Sequence, residues 1–394
     1  MNLEAPVLEE SLLVSAAFRE ALKFAADHAD DVDRGSRFPS EAVNALKVAG
    51  ALGCYVPSEL GGMSASFQDL CDITFELSRR CSASGMVFAM HQIQVASIVH
   101  HLNGQRWFED YLRRIAREQR LIASATSEVG VGGEMRRSIA AVAPIEGSEQ
   151  VQFEKQASTI SYGGHSDDLL TSVRRHPSAE GNDQVLVLTH KDQMEMKQTG
   201  AWDTLGMRGT CSPGFVVRAT CSAEQVMGVP FATIAAETVV PFSHILWAHV
   251  WLGTATDAFE RAQNFVRAQA RQNPGTTPPS ALRLSELSSH MAQFRALVRG
   301  ATEEYVNLCA HDRPQLSTIG YAVRMNNLKI AASEAAAEAT QGALRVTGIM
   351  GYKNGTPYSV GRHLRDSLSA ALMIANDRIH STNAALLLVY RDTK

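Results

Sequence analysis

The side chains of this sequence that stand where chemistry is possible are few. His244 follows Ser243 at the start of a helical stretch after Pro241 and shares a face with Trp247 and Trp251. An imidazole titrates near neutrality, so it suits proton transfer; a histidine ordered in an aromatic core has the same neighbours. His91, in AMHQIQ, lies on an earlier helical stretch, either facing a substrate cavity or simply packed. Asp377 is a further carboxylate, beside Arg378, its natural surface partner. The segment ASATSEVGVGGEMRRS (123–138) holds glycines at 130, 132 and 133, which let backbone N–H groups approach a ligand without Cβ interference. It lacks the spacing of a dinucleotide GxGxxG fingerprint. Equally informative is a gap, since no glutamate follows Glu338. Six cysteines show no CxxC pair and no zinc-like spacing with histidine, so no metal site is expected.

Three stretches of different periodicity must position these groups. Residues 1–120 read as helical, with Phe67, Leu70, Ile73, Thr74 and Leu77 at helical spacing. Over 121–240 the period shortens to two, as in QVLVLTH (184–190) and GFVVRAT (214–220), with glycine turns between. Over 241–394 the helical period returns, with Leu252, Ala255, Phe259, Ala262 and Val266 on one face and Phe294, Leu297, Ala301, Tyr305 and Leu308 on another. RQNPGTTPP (271–279) is a Pro/Gly hinge between two of these helices. At 394 residues, two or three packed units are expected. A formal charge of −4 argues against nucleic acid or an anionic membrane as partner. The N-terminus has no apolar core of a signal peptide, no stretch reaches membrane-span length, and the cysteines read as reduced thiols, so a cytoplasmic location is expected.

The order of motifs resembles the acyl-CoA dehydrogenases. Their Thr-Glu-Pro-Gly-Ala-Gly-Ser-Asp segment is matched by Ser127 to Glu134, their Trp-Ile-Thr-Asn-Gly-Gly strand by STISYGG, and their Gly-x-Arg turn by GMRGT at Arg208. Arg-x-x-Phe-Gly is matched by Arg271 to Gly275, and a Gly-Gly-x-Gly turn by Gly348 to Gly351, with Arg345 just before it. Arg365-Asp366 matches the C-terminal Arg-Asp signature. The resemblance implies a mainly α fold with a central β domain: an N-terminal helical domain, a middle β-barrel or sandwich and a C-terminal four-helix bundle. It also implies FAD held at a subunit interface of a homodimer or homotetramer. Ser124, Thr126, Ser127, Ser161 and Asn376 would contact the flavin side, and Arg271, Arg345, Gly348 and Gly351 the diphosphate side. Gly133 stands in place of a Ser that grips the pantetheine arm, and with Ser243 and His91 it falls in the implied substrate region.

The same resemblance sharpens the glutamate gap. Relatives place their base either after the Arg-Asp signature or on the first helix of the bundle, and here those positions are Ile374 and Ser243. His244 and Asp377 are the remaining candidates for a catalytic role. The first expectation is α,β-dehydrogenation of an acyl thioester on CoA or a carrier protein, with an electron-transfer partner. Removing an α-proton takes a base within hydrogen-bond reach and donors for the developing oxyanion. The alternative is a flavin-dependent monooxygenase on the same scaffold, which needs no such base. A non-catalytic flavin-binding homologue is the third.

Overall fold

The computed structural model describes residues 12–132 and 134–391, so Gly133 lies outside the described residues. Five helices come first: α1 (Ala16–Gly35), α2 (Ser40–Val48), α3 (Phe67–Arg80), α4 (Ser82–His100) and α5 (Arg106–Glu118). Helix α3 starts at a reciprocal capping box between Ser66 and Asp69, and the predicted stripe Phe67, Leu70, Ile73, Thr74 and Leu77 is buried. Helix α4 is apolar and buried nearly all round, as suits a helix enclosed by other elements.

Seven strands follow: β1 (Ile122–Ala125), β2 (Ala143–Pro144), β3 (Gln150–Ala157), β4 (Asp168–Arg174), β5 (Gln184–His190), β6 (Met194–Gln198) and β7 (Phe215–Ser222). They form two small sheets, β1-β4-β5 and β2-β3-β7-β6. Among the named strand pairings of the described residues, β1–β4 is parallel and the others are antiparallel. Strands β4 and β5 are buried on both faces and read as continuous apolar runs, whereas β3 and β7 alternate.

The chain then returns to helix. A short α6 (Phe231–Ile234) passes through a π-helical turn at Ala235–Val239 into α7 (Val240–Gln272), followed by α8 (Ser280–His311) and α9 (Ile319–Thr347). Short helices α10 (Ile349–Tyr352) and α11 (Gly361–Leu368) lead to α12 (Asn376–Leu387). Helix α7 is the core of the bundle, packed by α3, α4, α8 and α9. The segment Phe231–Gln272 is long and apolar enough to cross a membrane, and 67% of its most apolar window is buried within the protein, the position of a core helix. At Gly253 it approaches α3 so closely that a Cβ would stand 2.6 Å from the Phe75 carbonyl oxygen. On α8 the buried face differs from the expected stripe: Phe294, Tyr305 and Leu308 are buried, but Leu297 is exposed, and Val298 and Thr302 take the inner face.

The Arg-Asp signature joins the three parts. Arg365 donates to the Asp33 carboxylate at the end of α1 and, at 3.0 Å, to the Leu205 carbonyl. Asp366 accepts from the Met207 N–H at 2.6 Å. Gly206 sits between them because a Cβ there would meet the Arg365 carbonyl oxygen at 2.0 Å. Arg208 likewise serves the fold, donating to the Asp33 and Thr204 carbonyls.

Candidate active site

Where these parts meet lies a cavity of about 70 Å³. Helix α4 supplies Met90, Ile93 and Gln94; the end of β1 supplies Ser124 and the following Thr126; Met135, Leu186 and Phe231 add apolar wall. The π-turn and the start of α7 bring Val239, Val240, Ser243, His244 and Trp247, and Ile374 closes the lining from the turn before α12. The two positions at which relatives carry a base, Ser243 and Ile374, therefore open on one space. No acidic residue lines it.

His244 has its tautomer set by the fold. Its Nδ1 lies 3.0 Å from the Met325 carbonyl, which can only accept, so Nδ1 carries the hydrogen and Nε2 keeps its lone pair. Burial, aided by the nearby Lys329 ammonium, pushes its pKa down to about 4, so the ring is neutral at neutral pH. The ring centroid of His244 is 5.9 Å from that of Trp247. The Trp247 Nε1–H is buried and has no hydrogen-bond partner among the described residues. The Ser243 hydroxyl is turned back on its own helix and donates to the Val239 carbonyl.

Ile374 adopts φ 48°, a left-handed conformation that a β-branched residue rarely takes. Lys329, fully buried on α9, donates to the Ile374 carbonyl at 3.0 Å and to Asn376 Oδ1 at 2.7 Å. Asn376 Nδ2 donates in turn to Ser333 at 3.1 Å. Among the described residues the Ile374 N–H takes no hydrogen-bond partner.

The remaining predicted residues fall in several places. Ser127 and Thr159 are paired, the Ser127 hydroxyl donating to the Thr159 carbonyl at 2.7 Å. Ser161 accepts from Ser212 at 3.0 Å and lies in the loop after β3, not in a strand. Tyr162 is buried and donates to the Ile122 carbonyl, so it adds no bulk to the cavity wall. His91 is directed away from the cavity: it accepts from the Ile122 N–H at 3.1 Å through Nδ1 and donates to the Leu52 carbonyl at 2.9 Å through Nε2. With both ring nitrogens bonded, His91 ties α4 to β1. Asp377 is exposed in the first turn of α12, outside the lining, where a carboxylate suits the helix dipole. Arg271 and Arg345 are exposed at the C-terminal ends of α7 and α9 and do not line the cavity. Gly348 takes φ 56° at the end of α9, and Gly351 leaves no room for a Cβ beside Thr347. Sequence reasoning passed over Lys329, Gln94 and the indole of Trp247. The signal for Lys329 was a lone ammonium among the apolar residues of α9.

A flavin ring fits what the chain offers here. The backbone N–H groups of Ser127 and Ser161 carry no protein bond among the described residues, and the Ser124 and Thr126 hydroxyls line the cavity. Ser124 and Thr126 set polar groups into an otherwise largely apolar wall, a combination that suits a flat heterocycle with carbonyl acceptors on one edge.

The comparisons with known proteins agree. Residues 9–119 match the acyl-CoA dehydrogenase N-terminal domain, and residues 234–382 match the C-terminal domain. The chain belongs to the acyl-CoA dehydrogenase family. It is a flavoenzyme of the oxidoreductase class with the fold of that family. A probable acyl-CoA dehydrogenase, FadE25 of Mycobacterium leprae, is 25% identical over 354 residues, covering 88% of this chain and 87% of the relative. The 3-sulfinopropanoyl-CoA desulfinase of Paraburkholderia xenovorans is 23% identical, covering 90% of this chain and 89% of the relative. Among solved structures, FMN-bound TdsC of Paenibacillus sp. A11-2, a dibenzothiophene monooxygenase, superposes with a TM-score of 0.81 at 20% identity, over 96% of this chain and 98% of that one. That likeness establishes the fold.

Proposed function

We propose that this flavoenzyme transfers an oxygen atom to a substrate seated in the cavity, rather than removing an α-proton from it. The observation that supports the reading is the lining itself: Ile374 and Ser243 occupy the two base positions, and no carboxylate takes their place. The titratable side chain there is His244, which burial holds neutral. A flavin held there, once reduced by a two-electron donor such as a reduced nicotinamide, would supply the electrons by which one atom of O₂ goes to the substrate and the other leaves as water. The chain's part is to hold the flavin edge through the Ser127 and Ser161 N–H groups and to exclude water with Ile93, Leu186, Phe231 and Val240. The cofactor we propose is FAD, its diphosphate met by Arg271 and Arg345 across a homodimer or homotetramer interface. Their guanidinium forks suit paired phosphate oxygens. FMN, the flavin bound in the TdsC structure, is the other outcome of cofactor extraction. The six cysteines are free thiols, in keeping with a cytoplasmic protein.

A second reading, α,β-dehydrogenation of an acyl thioester on CoA or a carrier protein, is favoured by the unpaired Ile374 N–H, a donor suited to a thioester oxyanion, and by the FadE25 relative. It requires a base from outside the lining and an electron-accepting partner. The purified yellow protein separates the two. Anaerobic addition of acyl-CoA thioesters leaves the flavin absorbance unchanged under the first reading and bleaches it under the second. Under the first, reduced flavin consumes O₂ in a substrate-dependent way. Bleaching by a thioester would overturn the oxygen-transfer reading, and a colourless protein that takes up no flavin would overturn both.

A further inference from the structure

Helices α4 and α7 each set one polar side chain into the cavity wall with a hydrogen-bond acceptor left over. On α7, His244 donates Nδ1–H to the Met325 carbonyl of α9, so Nε2 holds its lone pair, and no protein donor reaches it among the described residues. On α4, Gln94 donates from Nε2 to the Met90 carbonyl at 3.2 Å. A carbonyl can only accept, so that bond fixes which end of the amide is which and leaves Oε1 without a partner. His244 and Gln94 are 4% and 6% exposed and both line the cavity, so the surface they retain faces it. Neither acceptor is sealed within the protein as the Trp247 N–H is. The lining also sets the charge of what can meet them. It holds no carboxylate and no Lys or Arg. The Lys329 ammonium, close enough to oppose a positive charge on His244, opposes one on a ligand in the same place.

We infer that the cavity takes an uncharged N–H or O–H group borne on an apolar molecule, with His244 Nε2 as the acceptor that orients it. A ligand without a donor displaces water from Nε2 and leaves it buried and unpaired, which costs affinity relative to an isostere that donates. Gln94 Oε1 is a second acceptor on the same wall and adds to that preference. An ammonium donates as well as a neutral N–H does, but it finds no counter-charge here and meets the field of Lys329. The rest of the wall is largely apolar, the setting in which a few polar groups fix the orientation of a small molecule. The inference rests on the oxygen-transfer reading for calling that molecule a substrate; the binding it describes does not depend on turnover.

The test is titration of the flavin-loaded protein, carrying isotope-labelled histidine, with pyrrole, furan and pyrrolidine, followed by nitrogen NMR. The cavity of about 70 Å³ makes single five-membered rings the suitable probes. Pyrrole offers an uncharged N–H, furan the same ring without a donor, and pyrrolidine a ring of that size that is cationic at neutral pH. Pyrrole should bind roughly tenfold more tightly than furan and move the His244 Nε2 resonance, with pyrrolidine weakest of the three. His244→Phe keeps a ring and removes the acceptor, so pyrrole should fall to the affinity of furan while furan stays unchanged. Gln94→Met should narrow the preference several-fold. Furan binding as tightly as pyrrole would overturn the inference, since an ordered water would then satisfy Nε2 as well as a ligand does. So would pyrrolidine matching pyrrole, a His244→Phe variant that keeps the full preference, or no binding by any of the three. Should His244→Phe not fold, the wild-type ranking and the Nε2 resonance decide: a pyrrole preference that leaves that resonance in place places the donor elsewhere and overturns the assignment. Oxygen uptake measured alongside separates the two proposals, because a pyrrole preference without uptake leaves the acceptor site standing while the oxygen-transfer reading falls.

Discussion

The ammonium of Lys329 donates to the carbonyl oxygen of Ile374 at 3.0 Å, tying the buried middle of α9 to the cavity wall. Among the described residues no carboxylate pairs with Lys329. Its neighbours are that carbonyl, Asn376 Oδ1 and the ring of Trp251, and burial pushes its pKa down to about 8. The bond holds the Ile374 turn in its left-handed conformation. Replacing Lys329 with Met removes two hydrogen bonds together with a desolvated charge, effects that offset one another in global stability. The expected outcome is a change of no more than about 1 kcal/mol in urea unfolding. Hydrogen exchange at the Asn376 amide, which donates to the Ala371 carbonyl at 3.0 Å, should accelerate at least tenfold, as read by mass spectrometry. Loss of global stability without local acceleration would mean that Lys329 supports the bundle and not the turn.

Acid should unfold the protein through its histidines. His91, His100, His101, His244, His249 and His363 each have a pKa pushed down to about 4, chiefly by burial. In the unfolded chain each titrates near about 6.5. Between those values the unfolded state binds more protons, so stability is full above about pH 6.5 and falls as pH drops toward 4. Urea midpoints measured at half-unit steps should decline most steeply between pH 6 and 5. His249→Gln, at a residue outside the cavity, should reduce the proton uptake on unfolding by about one proton. A flat stability profile down to pH 4.5 would contradict the assignment.

Glu128, inside the glycine-rich segment, is a buried clasp. Its carboxylate accepts from the Ser138 hydroxyl at 2.7 Å and from the backbone N–H groups of Ile139 and Ala140 at 3.2 and 2.8 Å. The buried Lys155 ammonium lies 3.5 Å away. Together these close the loop that carries Met135 to the cavity. Glu128→Gln should cost about 3–5 kcal/mol, because it removes the counter-charge of a buried ammonium that then keeps only its bonds to Ser172, the carbonyl at 2.6 Å and the hydroxyl at 3.3 Å, as well as loosening the loop. Adding Lys155→Met should recover more than half of that loss, a coupling that a double-mutant cycle in urea measures. Strictly additive losses would show that the pair does not interact.

Much of this was legible in the sequence, because the fold is written in periodicity. The change from a period of 3.6 to a period of two and back set out the helical and strand regions, and the stripe on α3 is buried as spaced. The stripe on α8 was read one position off at Leu297 and Ala301, since a long helix flanked by several neighbours does not bury a single row. The cavity was half legible. Positions 243 and 374 were identified separately, but that they open on one space is a tertiary fact. His91 was not interpretable from its neighbours, because on a helix buried all round every residue looks like a wall of something. The partnerless indole of Trp247 could not be foreseen at all, since a hydrogen bond's absence depends on what the rest of the chain fails to place beside it.

Ile374 is a costly residue for its place. At φ 48° its Cβ crowds the backbone, and L-residues other than Gly, Asn and Asp pay roughly 1–2 kcal/mol to stay there. Its side chain is 42% exposed, so little burial compensates. Ile374→Asn should therefore raise stability by about 1 kcal/mol in urea unfolding, and Ile374→Val, equally branched, should leave it unchanged or lower. If Asn destabilises, the Ile374 side chain contributes more to the cavity wall than its exposure implies. A stability gain accompanied by weaker flavin binding would instead show that the strained isoleucine is retained for the shape of the site, the kind of trade that strained residues at functional positions represent.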